Sequence, residues 1–164
     1  MTKKLNFGAG SDIKEDWDNV DIQKNEKLTK SFDFDKFPYP IKDNLYDLVF
    51  IQSVLDYLNS PFETLKELKR ICKNSAKIKI WCGYWNCKGS YNTLYHTRGF
   101  SEECFSGNKN QFGNSESLGF KTEKLELIPT KMGRLIYPKL LRNFLAKFIG
   151  GIIGQLHIEL KVVK

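Results

Sequence analysis

The sequence predicts an α/β domain with a mostly parallel sheet and a ligand site at the carboxyl edge of that sheet. The first observation is a short apolar run, residues 5–7, which ends in the turn Gly8-Ala9-Gly10 and is followed by Asp21 at the end of a second candidate strand. The second is residues 46–51, an apolar run of the kind that parallel sheets bury on both faces. A strand, a glycine turn and an acid in this order are typical of a nucleotide-type cofactor site.

The glycine turn and the acid suit a ligand that carries a ribose but no pyrophosphate. Gly8 and Gly10 have no Cβ, so the backbone turns sharply there and a ligand can approach it closely. An ionised Asp21 accepts hydrogen bonds from both ribose hydroxyls. A dinucleotide site needs a third glycine, where this chain has Ile13. Asp21 also follows Gly10 by only eleven positions, where dinucleotide folds need roughly 20, so we predict a very short first crossover helix or a loop in its place.

The middle of the chain predicts a strand end and a helix. Residues 31–37 alternate phenylalanine with polar side chains, which indicates the end of a short strand. Ser60 as the N-cap and Pro61 at the first helical position predict an amphipathic helix that covers the sheet. Residues 74–75 are the predicted end of this helix.

The second half predicts three more strands and a ligand-side loop. Residues 76–82 and 121–128 alternate as strands, and residues 157–163 form the predicted closing strand. Residues 83–117 are rich in aromatic and turn residues and follow the carboxyl end of a strand. We therefore predict that they form a substrate-side loop and flap.

Size and composition indicate one domain without a metal. The chain has 164 residues, which fits a single domain over residues 1–164. Its formal net charge of +7 comes largely from scattered lysines and by itself indicates no particular partner. It has no signal peptide and no apolar run of the roughly 20 residues that span a bilayer, so we predict a cytoplasmic protein. Cys72, Cys82, Cys87 and Cys104 lack zinc-site spacing, so we predict free thiols and no metal.

Four phrases of the chain, read in order, resemble a known family: LNFGAG, WDNVDI, SFDFDKFPYPIKDNLYDLVF and VLDYL. They resemble class I S-adenosylmethionine-dependent methyltransferases, and among these the small type-11-like subgroup with the pattern LNLGCG, W-x-N-V-D, D-x-x-x-L-P-F-x-D-N-S-F-D and V-L-E-H-L. The similarity covers about the first half of the chain and continues more weakly to residues 118–120. It implies a Rossmann-like fold of seven strands, with a mostly parallel sheet, an antiparallel last strand and helices on both faces.

The resemblance also implies an enzyme that moves a methyl group from S-adenosylmethionine to an acceptor and releases S-adenosylhomocysteine. By this resemblance the glycine turn cradles the amino-acid part of the cofactor and Asp21 its ribose. Residues 22 and 33–34 would hold the adenine, and residues 52–53 with Tyr57 the methionine end. The candidate cofactor-binding residues are therefore Asn6, Phe7, Gly8, Ala9, Gly10, Asp21, Ile22, Asp33, Phe34, Gln52, Ser53 and Tyr57.

One departure from the subgroup affects the choice of a catalytic base. Tyr57 stands where V-L-E-H-L has its histidine. An unperturbed tyrosine pKa near 10 makes a poor base at neutral pH, so we expect Tyr57 to line the pocket. His96 begins a His-x-x-x-Phe-Ser phrase similar to one in the family, and its unperturbed pKa near 6.5 makes it the candidate catalytic base. The alternative is a histidine that only orients its loop.

The C-terminal part carries a basic amphipathic insertion, residues 134–155, before the last strand. Apolar residues recur there at helical spacing, with basic residues between them. Such a segment either packs on the domain as a core helix, which we favour, or makes a peripheral contact with an anionic membrane.

Two classes of function follow from these observations. The first is methyl transfer to a small molecule or a sugar, which suits the aromatic loop, or to a lipid-linked acceptor, which suits the basic insertion. The alternative is a non-catalytic methyltransferase-like scaffold for a partner protein or, less favoured, for nucleic acid.

Overall fold

The computed structural model describes residues 2–106 and 113–164, and seven strands of these residues form one sheet. The order across the sheet is β3-β2-β1-β4-β5-β7-β6, in which β7 runs opposite to the other six strands. The strands are β1 (Lys4–Phe7), β2 (Asp18–Asp21), β3 (Lys30–Ser31), β4 (Tyr46–Gln52), β5 (Cys72–Gly83), β6 (Phe120–Pro129) and β7 (Ile153–Val162). This mixed sheet with its antiparallel last strand confirms the predicted fold class.

The connection from β1 to β2 is a loop, as its short length predicts. Two buried amide side chains hold this loop. Asn6 Nδ2 donates to Oδ1 of Asn19 at 2.9 Å and to the carbonyl of Asp12 at 2.7 Å. Asn19 accepts from the amide of Lys14 and donates to the carbonyls of Lys14 and Trp17. Side-chain amides therefore satisfy backbone groups that a helix would pair internally.

The segment after β3 packs through aromatic rings rather than through strand pairing. β3 ends at Ser31, so of the strand end predicted over residues 31–37 only the first residue lies in a strand. Phe34 instead stacks on Phe7 with ring centroids 3.9 Å apart, and Phe32 meets Phe34 edge to face at 5.2 Å. Burial of these rings accounts for the alternation in the sequence.

Helix α1 (Pro61–Ile71) covers one face of the sheet and buries Leu65, Leu68 and Ile71. Its start at Pro61 confirms the prediction, but the side chain of the N-cap residue, Ser60, makes no capping hydrogen bond. The carboxylate of Asp35 takes over this role.

The residue that caps the start of α1 belongs to the β3–β4 connection. Asp35 accepts hydrogen bonds from the backbone amides of Asn59 and Ser60 at 3.0 and 3.2 Å. The other end of the helix also differs from the prediction of residues 74–75. The helix stops at Ile71 because Cys72 already pairs with Tyr46 in the sheet.

The opposite face of β4, β5 and β7 carries a half-buried aromatic stripe. Phe50 meets Trp81 edge to face with ring centroids 5.2 Å apart, and Trp81 stacks on His157 at 4.3 Å. Lys79 and Glu159 form an ion pair at 3.3 Å on neighbouring strands of the sheet. Contacts between strand side chains therefore shield part of this face.

The connection from β6 to β7 spans residues 130–152 and contains α2 (Lys139–Leu145). The predicted insertion, residues 134–155, extends too far, because Ile153 is fully buried in β7 and Gln155 pairs there with Gly83. α2 packs on the domain through the half-buried Leu145, as the favoured interpretation predicts, but no residue of the helix is fully buried, so it is not a core helix. Of the helices that the structure describes, none combines the length and the apolar character needed to cross a membrane.

Arg70 joins α1 to the segment before β4, and we expect Arg70→Ala to lower the free energy of unfolding by about 2 kcal/mol. Arg70 donates to the carbonyls of Tyr39 and Ile41 at 3.0 and 2.9 Å and pairs with Glu67 at 2.7 Å. It also bonds the carboxylate of Asp43. Urea unfolding followed by circular dichroism measures the loss.

The matched control is Lys66→Ala on the same helix. Lys66 makes an exposed ion pair with Glu63 at 2.7 Å, and such pairs contribute less than about 0.5 kcal/mol. Equal losses of stability in the two variants would contradict the role given to Arg70.

Candidate cofactor site

An open cleft of about 710 Å³ lies at the carboxyl ends of β1, β2 and β4, where parallel sheets bind ligands. The predicted residues that line it are Asn6, Gly8, Ala9, Gly10, Asp21, Ile22, Asp33, Phe34, Gln52, Ser53 and Tyr57. Residues that line it but were not predicted are Ser11, Asp12, Gln23, Asp35, Phe50, Val54 and Leu58. Side chains and backbone from positions 6 to 58 therefore meet around one cleft.

The glycine turn forms the floor of the cleft and has a backbone that other residues rarely adopt. Gly8 has φ +77° and Gly10 has φ +51°. A Cβ on Gly8 would lie 2.1 Å from Cγ2 of Val54, whereas a Cβ on Gly10 would meet no atom within 4 Å. Gly8 is therefore required for both conformation and space, and Gly10 for conformation alone.

The carboxylate of Asp21 is fixed beside this turn. Its Oδ2 accepts a hydrogen bond from the backbone amide of Gly10 at 2.8 Å, and its Oδ1 accepts one from Gln23 at 3.0 Å. Each oxygen keeps a further acceptor position, because a carboxylate has about four lone-pair sites. The amides hold the side chain in one orientation at the rim of the cleft.

The wall next to Asp21 is apolar and aromatic. Ile22 exposes 57% of its surface at the cleft, which is unusual for isoleucine. Phe34 lines the cleft from below, and Phe7 does not line it, because its side chain is fully buried under Phe34. The Asp33 carboxylate accepts a hydrogen bond from the amide of Asp35. This wall offers a flat apolar surface with an acid at its edge.

The end of β4 forms the far side of the cleft. Ser53 has φ +50°, which a residue with a side chain adopts only at a cost, and its amide donates to the carbonyl of Trp81 at 2.8 Å. Backbone strain of this kind tends to occur at functional positions. Gln52 is exposed beside it, and Tyr57 lies 40% exposed above the cleft.

His96 lies behind Tyr57 and does not itself line the cleft. The two rings are 4.2 Å apart between centroids, tilted by 52°. Nδ1 of His96 is buried and has no hydrogen-bond partner among residues 2–106 and 113–164. Asp56 is buried nearby, where burial raises the pKa of its carboxyl, and its Oδ1 accepts from the amide of Gly83 at 2.8 Å. Asp56 was not among the residues predicted from the sequence.

The cleft is acidic in a basic chain. Four carboxylates line it, and in the described part of the chain no lysine or arginine does. These carboxylates belong to Asp12, Asp21, Asp33 and Asp35. Lysines beside the cleft pair with two of them, Lys14 with Asp12 at 2.6 Å and Lys36 with Asp33 at 3.7 Å. The remaining negative charge favours a ligand that carries positive charge.

The predicted flap is only partly described. Short 3-10 turns occupy Glu102–Cys104 and Glu116–Leu118, and residues 107–112 lie outside the described residues.

All four cysteines are free thiols, two of them buried and two half-buried.

Comparison with known proteins finds a family model that is similar to the cleft-bearing part of the chain. Residues 9–80 match a family model described as a methyltransferase domain. No curated protein gives a significant match. The matched residues include most of the cleft, from Ala9 to Leu58.

Solved structures show the same fold over nearly the whole chain. An S-adenosylmethionine-dependent methyltransferase from Archaeoglobus fulgidus is similar at 19% identity with a TM-score of 0.68, covering 98% of this chain and 86% of that chain. A chain of the Haloferax volcanii complex between the Trm112 methyltransferase activator and a methyltransferase is similar at 14% identity, with a TM-score of 0.63 and coverage of 99% and 83%. The [4+2]-cyclase SpnF is similar at 10% identity, with a TM-score of 0.64 and coverage of 99% and 74%.

The fold is that of class I S-adenosylmethionine-dependent methyltransferases, and residues 9–80 match the model of a methyltransferase domain.

Proposed function

We propose that the acidic cleft binds S-adenosylmethionine across the glycine turn and that residues 84–101 admit the methyl acceptor from the same edge of the sheet. The observation that carries this proposal is the fixed pairing of Asp21 with the amide of Gly10 at 2.8 Å. It sets a carboxylate with free acceptor positions next to a glycine turn of the cleft, where the backbone is accessible to a ligand.

The residues of the cleft fit this cofactor part by part. Asp21 is suited to the two ribose hydroxyls, because it only accepts hydrogen bonds when ionised. Ile22 and Phe34 offer apolar surface to the adenine, with Asp33 as an acceptor for its amine. The turn at Gly8 is suited to the amino-acid part of the cofactor. The negative charge of the cleft matches a cofactor that carries a sulfonium and an ammonium group.

When bound, S-adenosylmethionine supplies an electrophilic methyl group. The chain contributes by holding the cofactor, orienting the acceptor and excluding water, and positioning of this kind contributes roughly 7–11 kcal/mol in well-oriented reactions. Tyr57 supplies a wall between the cleft and the loop. His96, with its unpartnered Nδ1 behind that wall, either accepts the acceptor's proton after a small shift of Tyr57 or only holds the loop.

The acceptor class is a small molecule, a sugar or a lipid-linked compound. Support comes from the loop after β5, where Trp85, Tyr91 and Tyr95 expose 42%, 53% and 80% of their surfaces. Exposed aromatic side chains of this kind pack on sugar rings and other flat apolar faces.

Titration calorimetry of the purified chain with S-adenosylmethionine, S-adenosylhomocysteine and NAD tests the proposal. We expect binding of the first two at one site per chain and no heat with NAD. Binding of NAD with comparable affinity would overturn the assignment of the cleft, since the described residues that line it include no lysine or arginine to hold a pyrophosphate.

A non-catalytic scaffold is the competing function. It needs no ribose acceptor, no bare glycine turn and no acidic cleft, so these features favour the enzyme. Transfer of a labelled methyl group from the cofactor to a fraction of small molecules, glycans or lipids separates the two, because a scaffold transfers none.

A further inference from the structure

The β6–β7 connection, residues 130–152, exposes a large apolar surface that the cofactor site does not use. We call it the apolar-basic surface. Its exposed apolar side chains are Met132, Leu135, Tyr137, Leu140, Leu141, Phe144, Phe148 and Ile149, with exposed fractions between 46% and 88%. A large number of exposed apolar side chains within one segment marks an interaction site in a folded protein.

This segment packs on the domain with few of its apolar side chains. Only Gly133, Ala146 and Ile152 are buried among residues 130–152, and Arg142 and Asn143 are half-buried while Leu140 and Phe144 face out. Phe144 and Phe148 contact each other with ring centroids 5.3 Å apart. Leu145 is the apolar residue of α2 that packs on the core. The other apolar side chains of the helix, Leu140, Leu141 and Phe144, are exposed, unlike those of a core helix.

The charge of the same stretch has one sign. No acidic residue occurs between Glu126 and Glu159. Five basic residues lie among the apolar ones: Lys131, Arg134, Lys139, Arg142 and Lys147. A second copy of the chain would bring the same positive surface against itself in a two-fold dimer, which is unfavourable. An anionic bilayer offers both an apolar interior and negative headgroups.

The apolar-basic surface lies at the carboxyl edge of the sheet, the edge that carries the cofactor cleft. β6 ends at Pro129, β7 begins at Ile153, and both positions align with the end of β5 at Gly83. Asn86, just beyond that end, donates to the carbonyl of Ala146 and accepts from the amide of Gly151. The substrate-side loop and the β6–β7 connection that carries the apolar-basic surface are therefore in direct contact.

We propose that the apolar-basic surface docks the protein on an anionic phospholipid bilayer and that the methyl acceptor is an amphiphile held in that bilayer. The second part rests on the proposed function, and the first does not. Aromatic and aliphatic side chains enter the headgroup boundary, and the basic side chains between them meet lipid phosphates. Docking there turns the loop of Trp85 and Tyr95 toward the headgroups.

Co-sedimentation with two kinds of vesicle tests the docking. We expect the full chain to bind vesicles of equal parts phosphatidylcholine and phosphatidylglycerol at least about tenfold more tightly than vesicles of phosphatidylcholine alone, with binding weakened by added salt. The double variant Phe144→Ser/Phe148→Ser should lose at least about tenfold in binding to the anionic vesicles. Equal binding to the two kinds of vesicle would overturn the proposal.

Matched variants separate docking from unspecific effects. Val163→Ser removes a half-exposed apolar side chain at the opposite edge of the sheet and should leave binding unchanged. Lys139→Glu/Lys147→Glu should weaken binding at least about tenfold, whereas Lys42→Glu/Lys121→Glu has the same net charge and should weaken it far less. Equal losses in the two charge variants would overturn a localised docking surface.

Two more measurements on the same preparation complete the test. A dimer in sedimentation velocity that Phe144→Ser/Phe148→Ser dissociates would overturn the proposal by making a second copy the occupant. Calorimetry with S-adenosylmethionine reports the proposed function separately: vesicle binding without cofactor binding refutes that function alone, and cofactor binding without vesicle binding refutes the docking alone.

Discussion

Gly8→Ala should weaken the binding of S-adenosylmethionine by at least about 100-fold, which corresponds to about 2.7 kcal/mol. The new Cβ would lie 2.1 Å from Cγ2 of Val54 and would force a residue with a side chain to φ +77°. The turn must then move into the space that the cofactor takes. Calorimetry measures the affinity, and circular dichroism checks that the variant is folded.

Two further variants separate the collision from the strained conformation. Gly10→Ala keeps open space around its Cβ, so only the cost of φ +51° applies, and we expect a loss of about tenfold or less. Gly8→Ala/Val54→Ala removes the methyl groups that the new Cβ meets and should recover part of the affinity. Unchanged affinity in a folded Gly8→Ala variant would refute the close approach of a ligand at this turn.

Asp21→Ala should weaken the binding of S-adenosylmethionine by between about 10-fold and about 100-fold, because hydrogen bonds to a charged acceptor contribute about 1.5–3 kcal/mol. The same change should leave the affinity for free methionine, which has no ribose, within about twofold. The loss is thus confined to ligands that carry a ribose. Calorimetry with both ligands measures the difference.

Glu15→Ala provides the control for Asp21→Ala. Glu15 is an exposed acid in the same β1–β2 loop, and its side chain does not line the cleft. Removing it changes the net charge equally and should cost less than about twofold in affinity. A similar loss in both variants would mean that the general negative charge of the loop, and not a ribose contact, determines the binding.

The cleft could be predicted in large part from the sequence because its main residues lie close to one another along the chain. Gly8, Gly10 and Asp21 follow two short strands directly, and parallel strands bring their carboxyl ends to one edge. Asp35 and Asp56 were not predicted, because their roles depend on contacts with α1 and β5, distant in sequence. Asp35 caps α1 and Asp56 anchors the end of β5. Such roles need the tertiary structure.

The β6–β7 connection shows where sequence periodicity misleads. A helical stripe of apolar residues around α2 predicts burial, yet Phe144 and Phe148 face outward while Ala146 is buried. Periodicity indicates that apolar side chains share one face of a helix, but it does not indicate which part of the protein, if any, covers that face. The alternation of residues 31–37 misleads similarly, since aromatic stacking on Phe7 produces the same pattern as a strand.

A crystal structure grown with S-adenosylhomocysteine tests the central claim most directly. We predict difference density for the ribose within hydrogen-bond distance of the Asp21 carboxylate, with the amino-acid part of the molecule over Gly8 and the adenine against Ile22. Density for the ligand anywhere outside this cleft would contradict the account.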